Sequence, residues 1–208
     1  MKILIADNLS IVRIGVRSAL ADIYPHAIIE EVDNETRLVD KVLKESWTII
    51  ITNVVLTGRG GIEMIKNIKR SVPKTPVIVM SLYANEDYGV RSILAGASAF
   101  LGGKSSFEEL LVAVERVLTG KRYITTEIAE QLLELINDSS NKLPHKTLSN
   151  REFEVMKLMI KGQTVSEISK KMSLSSSAIS YNKAKLFKKM NFGSTSELLK
   201  YALQQNLI

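Results

Sequence analysis

Short apolar runs that alternate with amphipathic stretches dominate the first 120 residues, and this alternation constrains the fold more than any other feature. Runs at 3–6, 27–32, 48–52, 77–81 and 99–101 are strand-sized, most are rich in β-branched residues, and most read as buried on both faces. Between them, helical patterns span 10–23, 35–45, 61–71, 87–95 and 106–119. The first carries Ile11, Ile14, Val16, Ala19, Leu20 and Ile23 as an apolar stripe. Pro25, Pro73 and Gly120 fall at or just beyond helix ends. Five strand–helix repeats require a parallel sheet covered on both faces, whose working site lies at the carboxyl ends of the strands. Those ends read Asp7-Asn8, Asn53, Ser81 and Gly102-Gly103-Lys104.

After this segment the pattern changes. A helical stretch at 124–136 leads into Asn137-Asp138-Ser139-Ser140-Asn141-Lys142, a polar run suited to a flexible tether. Beyond Pro144 only helical patterns remain, at 149–161, 165–172, 176–190 and 194–205. Ser149 and Glu152 have the spacing of a capping box, and Gly162 ends the first of these helices. Two helices joined by the Ser173-Leu174-Ser175 turn, the second rich in lysine, follow the helix-turn-helix plan.

Charge divides at the same place. From Leu143 onward there are eleven Lys and Arg against four Glu, a net +7, whereas the first 142 residues hold 17 basic and 18 acidic residues. The tail is therefore suited to a polyanion. The helix at 176–190 turns Ile179, Leu186, Phe187 and Met190 inward by its periodicity. Ser180, Tyr181, Lys183, Ala184, Lys185 and Lys188 lie on its remaining surface. Lysines can follow phosphates while short and hydroxyl-bearing side chains approach base edges.

No apolar run approaches the ~18–20 residues of a membrane span, and the opening MKILIADN reaches an acid too early for a signal peptide. The chain has no cysteine and only two histidines, His26 and His145. Disulfides, thiolate sites and a histidine metal cluster are thereby excluded, and a cytoplasmic setting is expected. Gly102-Gly103-Lys104-Ser105 spells the end of a P-loop, but the full motif needs glycine where Ser98 stands. The glycines in Thr57-Gly58-Arg59-Gly60-Gly61 are read as backbone freedom.

The phrases ILIADNLSIVRIGVRSAL, PVIVMS and LAGASAFL make the first 122 residues resemble the receiver domain of two-component response regulators. That resemblance implies a doubly wound (βα)5 α/β sheet of flavodoxin-like order 2-1-3-4-5. It also implies an acidic pair that binds Mg²⁺, a phosphoacceptor aspartate, a hydroxyl and a lysine. Carried over, Asp7 keeps one acid, Asn8 replaces the other, Asn53 stands at the acceptor, Ser81 keeps the hydroxyl and Gly103 stands at the lysine, with Lys104 one residue late. A carboxamide cannot form an acyl phosphate as a carboxylate does. The expectation is an atypical receiver that works without aspartyl phosphorylation, with no catalytic residue, metal or cofactor.

The phrases LSNREFEVMKLMIKG, VSEISKKMSLSSSAIS and KKMNFGSTSELLKYALQQNLI make 148–208 resemble the LuxR/NarL-type helix-turn-helix, an all-α four-helix domain. Its LSNRE opening is most similar to the FimZ, BvgA and RcsB branch. The resemblance assigns base reading to Ser180, Tyr181 and Ala184 and phosphate contacts to Lys183, Lys185 and Lys188. It assigns dimer packing to the last helix, with Leu198, Leu199, Tyr201 and Ala202. The expected organisation is 1–122 receiver, 123–147 linker helix and tether, and 148–208 DNA-binding domain. The function so read is a transcription regulator that binds duplex promoter DNA as a homodimer; the alternative is an interaction protein that pairs with another response regulator. Neither reading involves enzymatic activity or a membrane.

Overall fold

The computed structural model describes residues 1–56, 61–81, 86–137, 143–205 and 207. It divides into two compact units. The first comprises Met1–Thr57 and Gly61–Leu132, and the second Leu133–Ile208. Among the described residues no helix is long and apolar enough to cross a membrane.

In the first unit, strands β1 (Lys2–Ala6), β2 (Ile28–Val32), β3 (Ile49–Asn53), β4 (Val77–Met80) and β5 (Ala99–Leu101) pair in parallel in the order β2-β1-β3-β4-β5. Helices α1 (Ser10–Ile23), α2 (Glu35–Lys44), α3 (Gly61–Ser71), α4 (Glu86–Leu94) and α5 (Phe107–Leu118) make the crossovers. Ile3, Ile5, Ile49 and Ile51 join Val16, Leu20, Leu110 and Val114 in the core under α1 and α5. Leu4 and Ile50, on the other face of the same strands, are equally buried. This two-sided burial is why the central strands read as continuous apolar runs.

Strand β2 departs from the expected two-sided burial. It lies at the sheet edge, and Glu30 and Glu31 face cations there. Glu30 pairs with Lys2 at 3.2 Å and Lys41 at 2.6 Å, and Glu31 with Arg13 at 3.1 Å and with Arg17. Helix α2 starts on Asn34, whose side chain accepts from the Arg37 N–H at 2.9 Å. Helix α3 starts at Gly61 for a steric reason, since a Cβ there would lie 1.4 Å from the Val54 carbonyl oxygen. The remainder of the glycine stretch, Thr57-Gly58-Arg59-Gly60, lies outside the described residues.

Beyond α5, Tyr123 bridges Ala99 at the β5 edge, and its hydroxyl donates to Glu109 Oε1 at 2.8 Å. Helix α6 (Thr126–Asn137) follows. Its Ile128 is buried so close to α4 that a Cβ on Gly89 would come within 2.7 Å of Ile128 Cδ1. The division between the units falls inside α6, so its first half packs with the sheet-bearing unit. Asn137 is its last residue; 138–142, the rest of the expected tether, lies outside the described residues.

The second unit is helical: a 3₁₀ turn (Pro144–Thr147), then α7 (Asn150–Ile160), α8 (Val165–Met172), α9 (Ser176–Met190) and α10 (Thr195–Gln204). Ser149 and Glu152 form the capping box their spacing predicts: Glu152 N–H donates to Ser149 Oγ at 3.4 Å and Ser149 N–H to Glu152 Oε2 at 2.8 Å. Thr164 and Glu167 form a second one at the start of α8. Ser173, in the left-handed region at φ 50°, turns α8 into α9. Phe153, Met156, Ile168, Ile179, Leu186 and Leu198 fill the core.

Candidate functional site

Parallel pairing of β1, β3 and β4 brings their carboxyl ends side by side, with Ala6 opposite Thr52 and Asn53 opposite Met80. Asp7, Asn53 and Ser81 emerge there, and all three are buried. Asn53 Nδ2 donates to Asp7 Oδ2 at 2.9 Å, and the Leu9 N–H donates to Asp7 Oδ1 at 2.8 Å. Asn53 Oδ1 accepts from the Val55 N–H at 2.8 Å. Both ends of the carboxamide and both oxygens of the carboxylate are thus engaged, and the strand ends are held together by neutral donors around one negative charge.

The other residues assigned to this site are not gathered with these. Asn8 is exposed, as are Gly103 and Lys104 in the turn after β5. Hard divalent cations need several oxygen ligands, usually including more than one carboxylate. Among the described residues no group of three or more His, Cys, Asp or Glu could hold a metal ion. With a single carboxylate, the strand-end donor set does not fit Mg²⁺.

The second candidate site is the outer face of α9. Ser175 caps the helix by accepting from the Ala178 N–H at 3.1 Å, while Ile179, Leu186 and Met190 anchor it to the core. Phe187, expected in that buried stripe, is only half-buried, with the Lys183 ammonium 5.7 Å from its ring centroid. Ser180, Tyr181, Ala184, Lys185 and Lys188 are exposed, Tyr181 to 60%, and Lys183 is half-buried. The Lys185 ammonium lies 4.6 Å from the Tyr181 ring, and hydrogen bonding to the phenol pushes its pKa up. The face is cationic and presents two hydroxyls and a methyl group.

Several features were not readable from the sequence. Ser176 and Ser177 are exposed on the first turn of α9, and Lys170 and Lys171 are exposed at the end of α8. Lys189 belongs to the structure of the domain, because it bonds the buried Glu152 at 2.7 Å across 37 residues of sequence. Burial alone would raise the Glu152 pKa. The Lys189 ammonium and the Ser149 N–H and hydroxyl outweigh burial and hold the carboxyl below its ordinary range.

The residues expected on the last helix divide between the core of the unit and its surface. Leu198 and Ala202 are fully buried within the unit, because a four-helix domain this small uses them as core. Tyr201 is also engaged internally: its hydroxyl lies 2.6 Å from His145 Nδ1, and its ring packs on Phe192. Leu199 and Leu203 remain exposed, the latter to 66%.

Comparison with known proteins agrees with this geometry in both units. Residues 3–115 match the response regulator receiver domain, and residues 146–202 match the bacterial regulatory proteins of the luxR family. Response regulator UvrY of Escherichia coli (strain K12) is 27% identical over 208 residues, covering 100% of this chain and 95% of that protein. RcsB from Salmonella enterica serovar Typhimurium, solved bound to promoter P1flhDC in the presence of phosphomimetic BeF3-, superposes with a TM-score of 0.72 at 25% identity. That match covers 97% of each chain. A structure of two RcsB dimers bound to two parallel DNAs gives a TM-score of 0.59 at 28% identity, again over 97% of each chain.

Proposed function

Because the chain belongs to the response regulators of the LuxR family, a receiver domain followed by a LuxR-type regulatory domain, we propose that it binds duplex promoter DNA as a dimer through its helical unit and does so without aspartyl phosphorylation. The exposed face of α9 supports the first half. In helix-turn-helix proteins the second helix enters the major groove, and its N-terminal part meets base edges. Here that part carries Ser176, Ser177, Ser180 and Tyr181, with Ala184 one turn on. Lys183, Lys185 and Lys188 stand where phosphates flank the groove. Two copies on half-sites about one helical turn apart would double the phosphate contacts and steepen the salt dependence. The exposed Leu199 and Leu203 offer the apolar surface between copies, and the solved RcsB dimers on DNA support that stoichiometry. In this reading 1–122 is the receiver, 123–147 the linker and 148–208 the DNA-binding domain.

The Asn53–Asp7 hydrogen bond supports the second half. An amide nitrogen facing the carboxylate offers no nucleophilic oxygen for an acyl phosphate, and one carboxylate alone is a poor site for Mg²⁺. The receiver then serves as a pairing or sensing module that is not switched by a phosphodonor. Fluorescence anisotropy on duplexes obtained by in vitro selection tests both halves. Binding is expected at low salt, falling steeply as salt rises, and unchanged by acetyl phosphate. A requirement for the phosphodonor would refute phosphorylation independence, and failure to select any duplex would refute DNA reading. Lys183→Ala with Lys188→Ala is expected to weaken binding to all duplexes and flatten the salt slope, whereas Tyr181→Ala alters the selected sequence.

A further inference from the structure

Beside the strand ends, α1 and the start of α5 flank a half-open pocket of about 260 Å³. Its walls are largely apolar, with Val12 and Val16 from α1, Leu110 from α5 and Leu101 from β5, while Asp7, Ser81, Ser105 and Ser106 add polar groups to the lining. Packed interiors leave few voids larger than a water molecule, and a dry apolar cavity of ~150 Å³ is already large enough to take up benzene. The space has a local cause. Gly102, in its lining, sends no side chain into it. Phe107 is held at the mouth, where its ring lies on α1 so tightly that a Cβ at Gly15 would sit 2.9 Å from Phe107 Cζ. Phe107 and Ile11 leave an apolar rim, exposed to 51% and 73%.

The polar part of the lining carries a charge without a counter-ion. Asp7 accepts from the Leu9 N–H and the Asn53 amide, both neutral, and each carboxylate oxygen can accept again. Arg13 bonds the main-chain oxygen of Asp7 at 2.7 Å and directs its Nε to Glu31, so among the described residues no cation pairs with the Asp7 carboxylate. The Ser81 hydroxyl lines the same pocket. A buried carboxylate and a hydroxyl lining one largely apolar pocket are complementary to a primary ammonium on a compact apolar body.

We propose that this cavity binds a small primary amine with an aromatic or branched apolar body, the ammonium on Asp7 and Ser81 and the body between α1 and α5. The proposal rests on reading Asp7 as a counter-charge and not as a metal ligand, and so on the absence of phosphate chemistry argued above.

The test is titration of the full-length protein with phenethylamine, followed in ¹H–¹⁵N spectra, with phenylacetate as the probe of similar body and opposite charge. Saturable shifts of the Ser81, Gly102 and Ser105 amides are expected with phenethylamine, and about tenfold weaker or no binding with phenylacetate. Asp7→Asn is expected to weaken phenethylamine at least about tenfold, and Val12→Phe to abolish binding by filling the space; the Asp7 variant decides the outcome should the Val12 variant fail to fold. Absence of saturable shifts, equal binding of phenylacetate, or undiminished binding to folded Asp7→Asn would overturn the assignment. Movement of the same resonances on dilution of the protein alone would also overturn it, since a second copy would then fill the cavity. Incorporation of label from a phosphodonor is a separate readout and would count against the reading of the strand ends, leaving the amine titration to be judged on its own result.

Discussion

Replacing Asn53 with aspartate tests the strand-end chemistry most directly. In the native chain the carboxamide donates to Asp7 Oδ2 at 2.9 Å. Asn53→Asp removes that donor and sets two carboxylates against each other. Two unit charges ~4 Å apart, at an effective dielectric of ~20, repel by about 4 kcal/mol. For a unit of this size that corresponds to a fall in melting midpoint of roughly 10–15 °C. Two conditions should relieve the strain. The shared pair has one folded-state pKa raised above its unfolded value, so its stability is present at low pH and lost as pH rises through the folded value; acidification from pH 7 to 5 should recover much of the midpoint. Millimolar Mg²⁺ should also recover it, because the variant has the second carboxylate that a hard cation uses. Circular dichroism melts in EDTA and in Mg²⁺ would measure both effects. A variant that melts with the native protein at pH 7 in EDTA, or a native protein that gains as much from Mg²⁺ as the variant does, would refute the reasoning.

Further outcomes follow from other contacts. The depressed pKa of Glu152 contributes stability above its unfolded pKa near ~4.3 that is lost as pH falls through the folded value. Glu152→Gln should therefore cost about 1–2 kcal/mol at neutral pH and flatten the acid side of the stability profile in urea titrations between pH 3 and 6. Leu198→Ala should destabilise the helical unit by about 2–5 kcal/mol, whereas Leu203→Glu should leave stability within about 0.5 kcal/mol and weaken dimeric DNA binding about tenfold or more. Equal effects of these two changes on stability would contradict the division between core and surface on α10. Gly89→Ala should push against Ile128 and Phe100, cost about 1 kcal/mol, and increase proteolysis within α6; an unchanged cleavage pattern would remove the α4–α6 contact from the account.

The two modules, the strand sequence and the helix starts were legible because each is written locally. Periodicity separates strands from helices, the Ser149–Glu152 spacing marks a cap, and the density of lysine beyond Leu143 marks the basic unit. Ser180 and Tyr181 also fell on the outer face as their positions within the helix predicted. Thr164 and Glu167 have the same capping spacing, so that second box was present in the sequence, though not singled out from it.

Other features depended on which atoms meet across long stretches of chain. Leu198 and Leu199 are identical in chemistry, and only packing against α7 makes one core and the other surface. Asn53 by itself announced the loss of a nucleophile, but its grip on Asp7 depends on β1 and β3 lying side by side. Glu152 announced a helix cap, and only the fold supplied Lys189 as its counter-charge. The sequence by itself determined the elements, their sheet-and-bundle architecture and the residue types at the strand ends, because those follow from short-range pattern and functional-group chemistry. Tertiary structure alone decided the occupied carboxylate, the exposed leucines and the cavity under α1, because filling space and pairing buried charge depend on contacts that no local pattern encodes.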